Sequence, residues 1–207
     1  ANIAQVLAQA GDTNHARQTI QIALNTAEKI NRYHDRAHAL ANIAQVLAQA
    51  GDTNHALAVA EKIEDDDKRA HALATIAQVL AQAGDTNHAL AAAEKIEFDF
   101  FRAHALANIA QVLAQAGDTD HALAVAEKIE HYRDRAQPLA TIAQVLAQAG
   151  DTDHALAVAE KIEDDYTRAH ALANIAHELA QAGDINHARQ VLQNTLNVAE
   201  KIEFDFF

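Results

Sequence analysis

The sequence contains no cysteine, serine, methionine or tryptophan, and only one proline among 207 residues. Without cysteine the chain has neither disulfide bonds nor thiolate metal sites. Without serine or cysteine it also lacks the two commonest nucleophiles of covalent catalysis. We therefore expect a protein that is not an enzyme and that has no catalytic, cofactor-binding or metal-binding residues.

Long apolar runs are missing as well, and no run approaches the length of a membrane-spanning helix. The N-terminus shows no basic region followed by an apolar stretch and a cleavage site. A soluble protein without a membrane span is expected. The chain starts at Ala1 in the middle of a repeat, so we expect a processed or excerpted polypeptide. Its location stays open, and it would be extracellular if a signal peptide has been removed.

Positive charge is scarce, because 16 Lys and Arg face 29 Asp and Glu, for a formal net charge of −13. An acidic surface repels phosphate backbones, so nucleic acid is not expected as a partner. The chain also has 13 histidines. Their full protonation brings the total charge close to zero near about pH 5, so solubility and self-association are expected to depend on pH.

Repetition dominates what the sequence does contain. Every glycine lies in the phrase Ala-Gln-Ala-Gly-Asp, and the glycines are spaced by 40 residues once and by 33 residues four times. They are Gly11, Gly51, Gly84, Gly117, Gly150 and Gly183. A period of this size indicates one helical hairpin stacked into an array. We predict a single array over 1–207, with repeats 1–36, 37–69, 70–102, 103–135, 136–168 and 169–207.

Repeat 37–69 shows the predicted hairpin most clearly. Apolar residues recur at three- and four-residue steps, first over 40–47 and again over 57–63, which indicates two helices. Gly51 is expected to end the first helix in a left-handed conformation. Asp52 or Thr53 then caps the second helix.

Alanines at Ala44, Ala56 and Ala60 predict close packing between these helices, because larger side chains would push them apart. Pro138 is predicted in the first turn of a helix, where its missing N–H is not needed. The second helices of the two end repeats each gain seven residues, which adds about 10 Å to a helix. The extra segments are 17–23 and 189–195.

The repeat resembles the tetratricopeptide pattern over the whole chain. Repeat 37–69 keeps the turn residues Gly51 and Asp52, the small Ala56 and the aliphatic Ile43. Its core is aliphatic where that pattern has aromatic residues, and Lys68 replaces the closing proline. The resemblance implies an all-α solenoid of six stacked helix-turn-helix repeats, a right-handed superhelix, and a non-catalytic role in holding partner proteins.

The resemblance also implies a concave groove lined by the first helices of the repeats. In this chain the groove would show polar side chains in matching columns. They are His38, Asn42, Gln45, Gln49, His71, Thr75, Gln78, His104, Asn108 and Gln111. This face has no Lys or Arg, which argues against a clamp for acidic C-terminal peptides.

Three patterns resemble metal sites, and each has a simpler interpretation. His177-Glu178 opens like a zinc protease motif, but Gln181 stands where the second histidine is needed. Histidines recur at equivalent positions of successive repeats, where we expect them to lie about 8–10 Å apart, the packing distance of helices. This is too far for two of them to bind one metal ion. The acidic runs 65–67 and 164–165 lack calcium-loop spacing, so we interpret them as solvated loops between repeats with helix-capping acids.

All nine aromatic residues lie between the repeated cores, and Glu-Phe-Asp-Phe-Phe occurs twice, at 97–101 and 203–207. They are Tyr33, Phe98, Phe100, Phe101, Tyr132, Tyr166, Phe204, Phe206 and Phe207. One interpretation is that these rings staple adjacent helices. The other is that they form an interaction strip along one edge.

Neither end of the predicted array carries a polar capping repeat, so each end exposes an unpaired apolar surface. Complementary surfaces at opposite ends favour a structural protein that associates head to tail into a filament. The predicted joint includes Asn2, Val6, Phe204, Phe206 and Phe207. The expected partner is protein, and in the first place another copy. A monomeric adaptor that binds a peptide in its groove is the alternative. A third origin, an engineered consensus repeat, fits the irregular linkers and matched insertions less well.

Overall fold

The computed structural model describes residues 13–204, and these residues form eleven helices without a strand among them. The helices are α1 Thr13–Ala27, α2 Tyr33–Gln49, α3 Thr53–Glu61, α4 Asp66–Gln82, α5 Thr86–Glu94, α6 Asp99–Gln115, α7 Thr119–Ala126, α8 Tyr132–Gln148, α9 Thr152–Glu160, α10 Asp165–Gln181 and α11 Ile185–Phe204. The chain divides into two compact units inside α6, one ending at Ala105 and the other starting at Leu106. The single array over 1–207 stays a prediction.

Each unit is built from antiparallel helix hairpins. In the first unit α2 packs against α3 and α4, and α4 packs against α5. In the second unit α8 packs against α9 and α10, and α10 packs against α11. Each first helix therefore contacts its own second helix and the next first helix. This packing confirms the all-α solenoid architecture predicted from the period.

The turn inside each hairpin depends on glycine. Gly51 has a φ of +78°, a left-handed conformation that strains residues with a Cβ. This conformation lets the backbone N–H of Asp52 donate to the carbonyl of Leu47 at 2.9 Å, which satisfies an otherwise open end of α2. The four later hairpin turns repeat the same bond. The predicted role of glycine is confirmed in all five described turns, whereas Gly11 lies outside the described residues.

The aspartate that closes one helix also opens the next. The carboxylate of Asp85 accepts a hydrogen bond from the backbone N–H of His88 at the start of α5. Asp118, Asp151 and Asp184 do the same at the starts of α7, α9 and α11. In these four hairpins the aspartate is therefore the cap, and one residue serves both helices. Asp52, where the cap was predicted, is the N-cap of α3 but accepts no backbone hydrogen bond through its side chain.

Isoleucines and alanines form the core of each unit. Ala44, Ala56 and Ala60 have no exposed surface, which confirms the close helix packing predicted for them. Isoleucines at equivalent positions of successive repeats fill the space between helices. The fully buried ones are Ile63, Ile76 and Ile96 in the first unit, and Ile109, Ile129, Ile142, Ile162 and Ile175 in the second.

An arginine joins each second helix to the first helix that follows it. In the second unit, Nη1 of Arg135 donates to the carbonyl of Ile129 at 3.1 Å, and Nη2 pairs with Glu163. Arg168 donates to Ile162 at 2.9 Å in the same way. Arg36, Arg69 and Arg102 repeat this bond in the first unit. The guanidinium therefore satisfies a carbonyl at the end of the second helix.

The segments between repeats are not the loops that we expected. Each first helix begins four residues ahead of its repeat boundary, as α4 does at Asp66. Asp65 and Asp164 are N-caps, which accept hydrogen bonds from the N–H groups of Lys68 and Thr167. The other acids of these runs lie in the first helical turn. Such acids are stable there because they face unpaired N–H groups and the positive end of the helix dipole.

The early start of α8 also changes the place of Pro138. The helix begins at Tyr132, so Pro138 is its seventh residue and not part of its first turn, and that prediction is wrong. The ring is buried, and its missing N–H removes the hydrogen bond that would go to the carbonyl of Asp134.

The second helices differ in length as the insertions predicted. The helix α1 has 15 residues and α11 has 20, whereas α3, α5, α7 and α9 have eight or nine. Both lengthened helices belong to the end repeats. Each therefore offers more surface to a neighbour than the other second helices do.

Candidate interaction surfaces

A histidine follows the aspartate of each described hairpin turn by three residues and bonds to its carboxylate. Nδ1 of His121 lies 2.8 Å from the carboxylate of Asp118, and Nδ1 of His154 lies 2.8 Å from that of Asp151. Equivalent pairs join His55 to Asp52, His88 to Asp85 and His187 to Asp184. These histidines therefore support helix caps. Within residues 13–204, no group of three or more histidine or carboxylate side chains could hold a metal ion.

In three of these pairs the hydrogen bond shifts the pKa of one partner. Hydrogen bonding to His121 lowers the pKa of Asp118 below its ordinary value of 3.8, and His187 lowers the pKa of Asp184. Hydrogen bonding to Asp151 raises the pKa of His154 above its ordinary value of 6.5. The hydrogen bonds therefore favour the charged forms of Asp118, Asp184 and His154 in the folded chain.

We expect the melting temperature to rise as the pH falls from 8 to about 5.5, and to fall again below about pH 4. A raised histidine pKa adds stability below the unfolded value of 6.5, and this is lost as the pH rises through the folded pKa. A lowered aspartate pKa adds stability above 3.8, and this is lost as the pH falls through the folded pKa. Calorimetry of His154→Gln should show a smaller rise between pH 8 and 5.5.

His38→Gln is the matched control, because this exposed histidine lies outside the Asp–His pairs. The control loses the same number of titrating groups, so it corrects for the change in net charge. An equal loss of the rise in both variants would contradict a specific role for the pair of His154 with Asp151.

The polar residues predicted for a groove lie on the outer faces of the first helices. His38, Asn42 and Gln49 are exposed on α2, where Gln45 is half-buried. On α4, His71 and Gln78 are exposed and Thr75 is half-buried. On α6, His104 and Gln111 are exposed and Asn108 is half-buried. Each of these faces is open to a partner, while the continuous groove stays a prediction.

The aromatic residues from Tyr33 to Tyr166 lie at or just before the starts of first helices, and most of them are exposed. Phe100 in α6 is 66% exposed and Tyr166 in α10 is 65% exposed. Their rings contact nearby residues of the chain, as in the edge-on contacts of Phe100 with Phe101 and His104. Tyr33 and Tyr132 contact adjacent histidines, and Tyr166 contacts His170. Phe98, just before α6, contacts Phe101. These rings are available for binding, and the interaction strip stays a prediction.

An apolar stripe runs along the outer side of α11. Ile185, Leu192 and Leu196 are 52%, 48% and 56% exposed, and their spacing places them on one side of the helix. Ala188 and Val191 lie on the flank next to these residues, where they are buried as α11 packs against α10. We call these three exposed residues the α11 stripe.

The predicted joint overlaps with this end of the chain only in part. Asn2, Val6, Phe206 and Phe207 lie outside the described residues, and Phe204 is the last residue of α11. Neither the α11 stripe nor the arginine that joins each second helix to the following first helix was predicted from the sequence. The spacing of 185, 192 and 196, offset from the buried 188 and 191, is the signal that would have revealed the stripe.

Within residues 13–204, no helix combines the length and the apolar character needed to cross a membrane. Even α11 has a mostly polar surface apart from its stripe and the side that packs on α10.

One comparison with protein families agrees with the hairpin geometry. A family model described as tetratricopeptide repeat matches residues 103–128 and 136–161, two segments that each contain the body of one hairpin. A search of curated proteins gives no match. The crystal structure of Ton1535 from Thermococcus onnurineus NA1 is similar at 17% identity and a TM-score of 0.33, over 96% of this chain and 75% of that one.

The family match falls on two adjacent repeats of the second unit, and the remaining described repeats share their turn and core residues. These two segments are therefore tetratricopeptide-like repeats, and their core is aliphatic. Repeats of this type suggest a protein-interaction scaffold.

Proposed function

We propose that this chain is a non-enzymatic interaction scaffold that associates with copies of itself end to end, into a filament or an extended superhelix. The observation that supports this function best is the α11 stripe, which leaves apolar surface exposed on the last described helix. Single exposed apolar residues are common on protein surfaces. Three on one side of one helix form a patch of the kind that marks protein interfaces.

The energy available at this patch is large enough to matter. Full burial of a leucine or isoleucine side chain contributes about 1.5–3 kcal/mol. Burying the exposed halves of three such side chains at an interface would therefore contribute several kcal/mol to association. A contact between unlike surfaces of two copies leaves a free surface on each copy. Such contacts build open filaments unless their rotation closes a ring.

We expect Leu192→Glu/Leu196→Glu to abolish this association, because two carboxylates would be buried at the joint without partners. Light scattering of the unaltered chain should show a mass that grows with concentration, whereas the double variant should stay at the mass of one chain. Both residues are about half exposed, so the variant should fold normally.

Tyr166→Glu/Ile22→Glu is the control, because it adds the same charge at two exposed apolar positions outside the stripe. It should associate nearly as well as the unaltered chain. A mass of one chain for the unaltered protein at every concentration would refute the proposed function.

The second candidate function is a monomeric adaptor that binds a peptide. The exposed polar faces of α2 and α4 favour it, since their histidine, asparagine and glutamine side chains can hydrogen-bond a peptide backbone. Substitutions at His38, Asn42 and His71 would then weaken peptide binding without changing the mass of the protein. The net charge of −13 favours a protein partner over a nucleic acid for either function.

A further inference from the structure

A packing rule within the chain indicates what covers a second helix. In the first unit α1 packs against α2, and α3 packs against α4. In the second unit α7 packs against α8, and α9 packs against α10. In each of these pairs a second helix contacts the first helix of the next repeat. No helix follows α11 in the described part of the chain, so this position beside it has no occupant there.

The helix α1 shows how a lengthened second helix looks when this position is filled. The insertions at 17–23 and 189–195 align α1 with α11, so that Ile20 corresponds to Leu192. Ile20 is only 8% exposed in α1, whereas Leu192 is 48% exposed in α11. Ala27 is buried in α1, while its counterpart Ala199 is half-buried. The sequences are alike, so the neighbouring helix accounts for the difference.

We infer that the α11 stripe of one copy is covered by residues 1–10 of a second copy, seated as α2 is seated against α1. This inference rests on the proposed end-to-end association and specifies its partner segment and register. Residues 1–10 are identical to 41–50, the stretch that forms the second half of α2 and its C-cap. The occupant therefore has the sequence that a lengthened second helix already contacts inside the chain.

Within residues 1–10, Val6 occupies the position that Val46 occupies in the identical stretch of α2. Val46 is buried, while the equivalent Val79 and Val145 are half-buried in repeats that follow a short second helix. The extra two turns of α1 thus account for added cover on the helix after it. The equally lengthened α11 would cover Val6 of the second copy in the same way.

A ladder of ion pairs supplies a second marker of the register. Lys62 lies 2.7 Å from Glu28, and Lys95 lies 2.5 Å from Glu61. Lys161 pairs with Glu127 in the second unit. Each lysine here contacts the glutamate of the preceding repeat, 34 residues earlier in the chain.

Lys29 holds this lysine position in the first repeat, where the ladder has no preceding glutamate. It is exposed, and within residues 13–204 no carboxylate forms an ion pair with it. Glu200 holds the glutamate position of the last repeat, as Glu28 does in the first. In the inferred register, Lys29 of one copy pairs with Glu200 of the copy before it.

This pair tests the register because exposed ion pairs are weak individually but sensitive to charge reversal. In buffer of low ionic strength, Lys29→Glu and Glu200→Lys should each weaken the association constant by about fivefold, since an attraction becomes a repulsion. The double swap Lys29→Glu/Glu200→Lys should restore association to within about twofold of the unaltered chain. Sedimentation velocity measures all three.

Lys95→Glu is the matched control, because it reverses a lysine of the same ladder inside the chain. It changes the net charge as Lys29→Glu does and should leave association nearly unchanged. Circular dichroism and thermal melting check that every variant is folded.

The outcomes separate this inference from the proposed function. Suppose that the chain associates through the α11 stripe. If Lys29→Glu then weakens association no more than Lys95→Glu does, or if the double swap fails to restore association, the register is wrong and end-to-end association still stands. If the unaltered chain stays at the mass of one copy, both fail.

Discussion

Replacing Ile142 with alanine is expected to lower the free energy of unfolding by about 3 kcal/mol, near the middle of the range for large-to-small changes in protein cores. Ile142 has no exposed surface in α8, and neighbouring Ala143 is equally buried. Small neighbours cannot move in to fill the space, so the substitution leaves a cavity. Urea denaturation of the intact chain measures the loss.

The effect of Ile142→Ala should extend beyond its own hairpin. The helix α8 packs against both α9 and α10, so weaker packing at Ile142 reduces the support that α8 gives to the following repeat. Hydrogen exchange should therefore become faster in α10 as well as in α8 and α9.

Leu156→Ala is the control for this prediction, because Leu156 is only half-buried on α9. It should lower the free energy of unfolding by about 1 kcal/mol, in proportion to the smaller apolar surface that it removes from the core. Equal losses for the two variants would show that the column of isoleucines does not carry the packing between repeats.

Replacing Arg135 with leucine is expected to lower the free energy of unfolding by about 2 kcal/mol, the range for hydrogen bonds that involve a charged group. The guanidinium bonds the carbonyl of Ile129 at 3.1 Å and pairs with Glu163, so it joins the end of α7 to two later segments. Leucine keeps the apolar stem but leaves that carbonyl without this donor.

Two further variants separate the parts of this contact in urea denaturation. Arg135→Lys should lose most of the same stability, because a single ammonium does not reproduce the fork of donors. Glu163→Gln should change the free energy of unfolding by less than about 0.5 kcal/mol, since this glutamate is mostly exposed. A larger loss from Glu163→Gln than from Arg135→Leu would show that the ion pair, and not the bond to the carbonyl, holds the segment.

The repeat hairpins follow from the sequence because their signals are local. Gly51 and Asp52 adjoin each other in the chain, and the alanines and isoleucines recur at helical spacing. Turn, cap and core therefore agree at each repeat, which makes the hairpin predictable from short segments.

The starts of the first helices were harder to predict from composition. Acidic residues such as Asp66 and Asp67 resemble a solvated loop, yet in this fold they occupy a helical first turn. Capping physics favours acids at a helix start as strongly as solvation favours them in a loop, so the pattern alone left both possible.

Surface contacts between repeats depend on distances that the sequence does not show. Arg135 reaches back six residues to Ile129 and forward 28 residues to Glu163, so its role appears only once the helices are packed. The exposure of Leu192 likewise depends on what lies beside α11. Its counterpart Ile20 carries a similar side chain and is buried.

The shared aspartate of the hairpin turn limits where this chain can change length. Its N–H closes one helix and its carboxylate starts the next, as Asp118 does between α6 and α7. An added or deleted residue at that point would break both connections at once. The end repeats instead gain seven residues within the second helix, nearly a whole number of turns, which preserves the direction of every side chain beyond the insertion. Evolution or design can therefore lengthen the helices of such an array by whole turns without changing the hairpin turns that connect them.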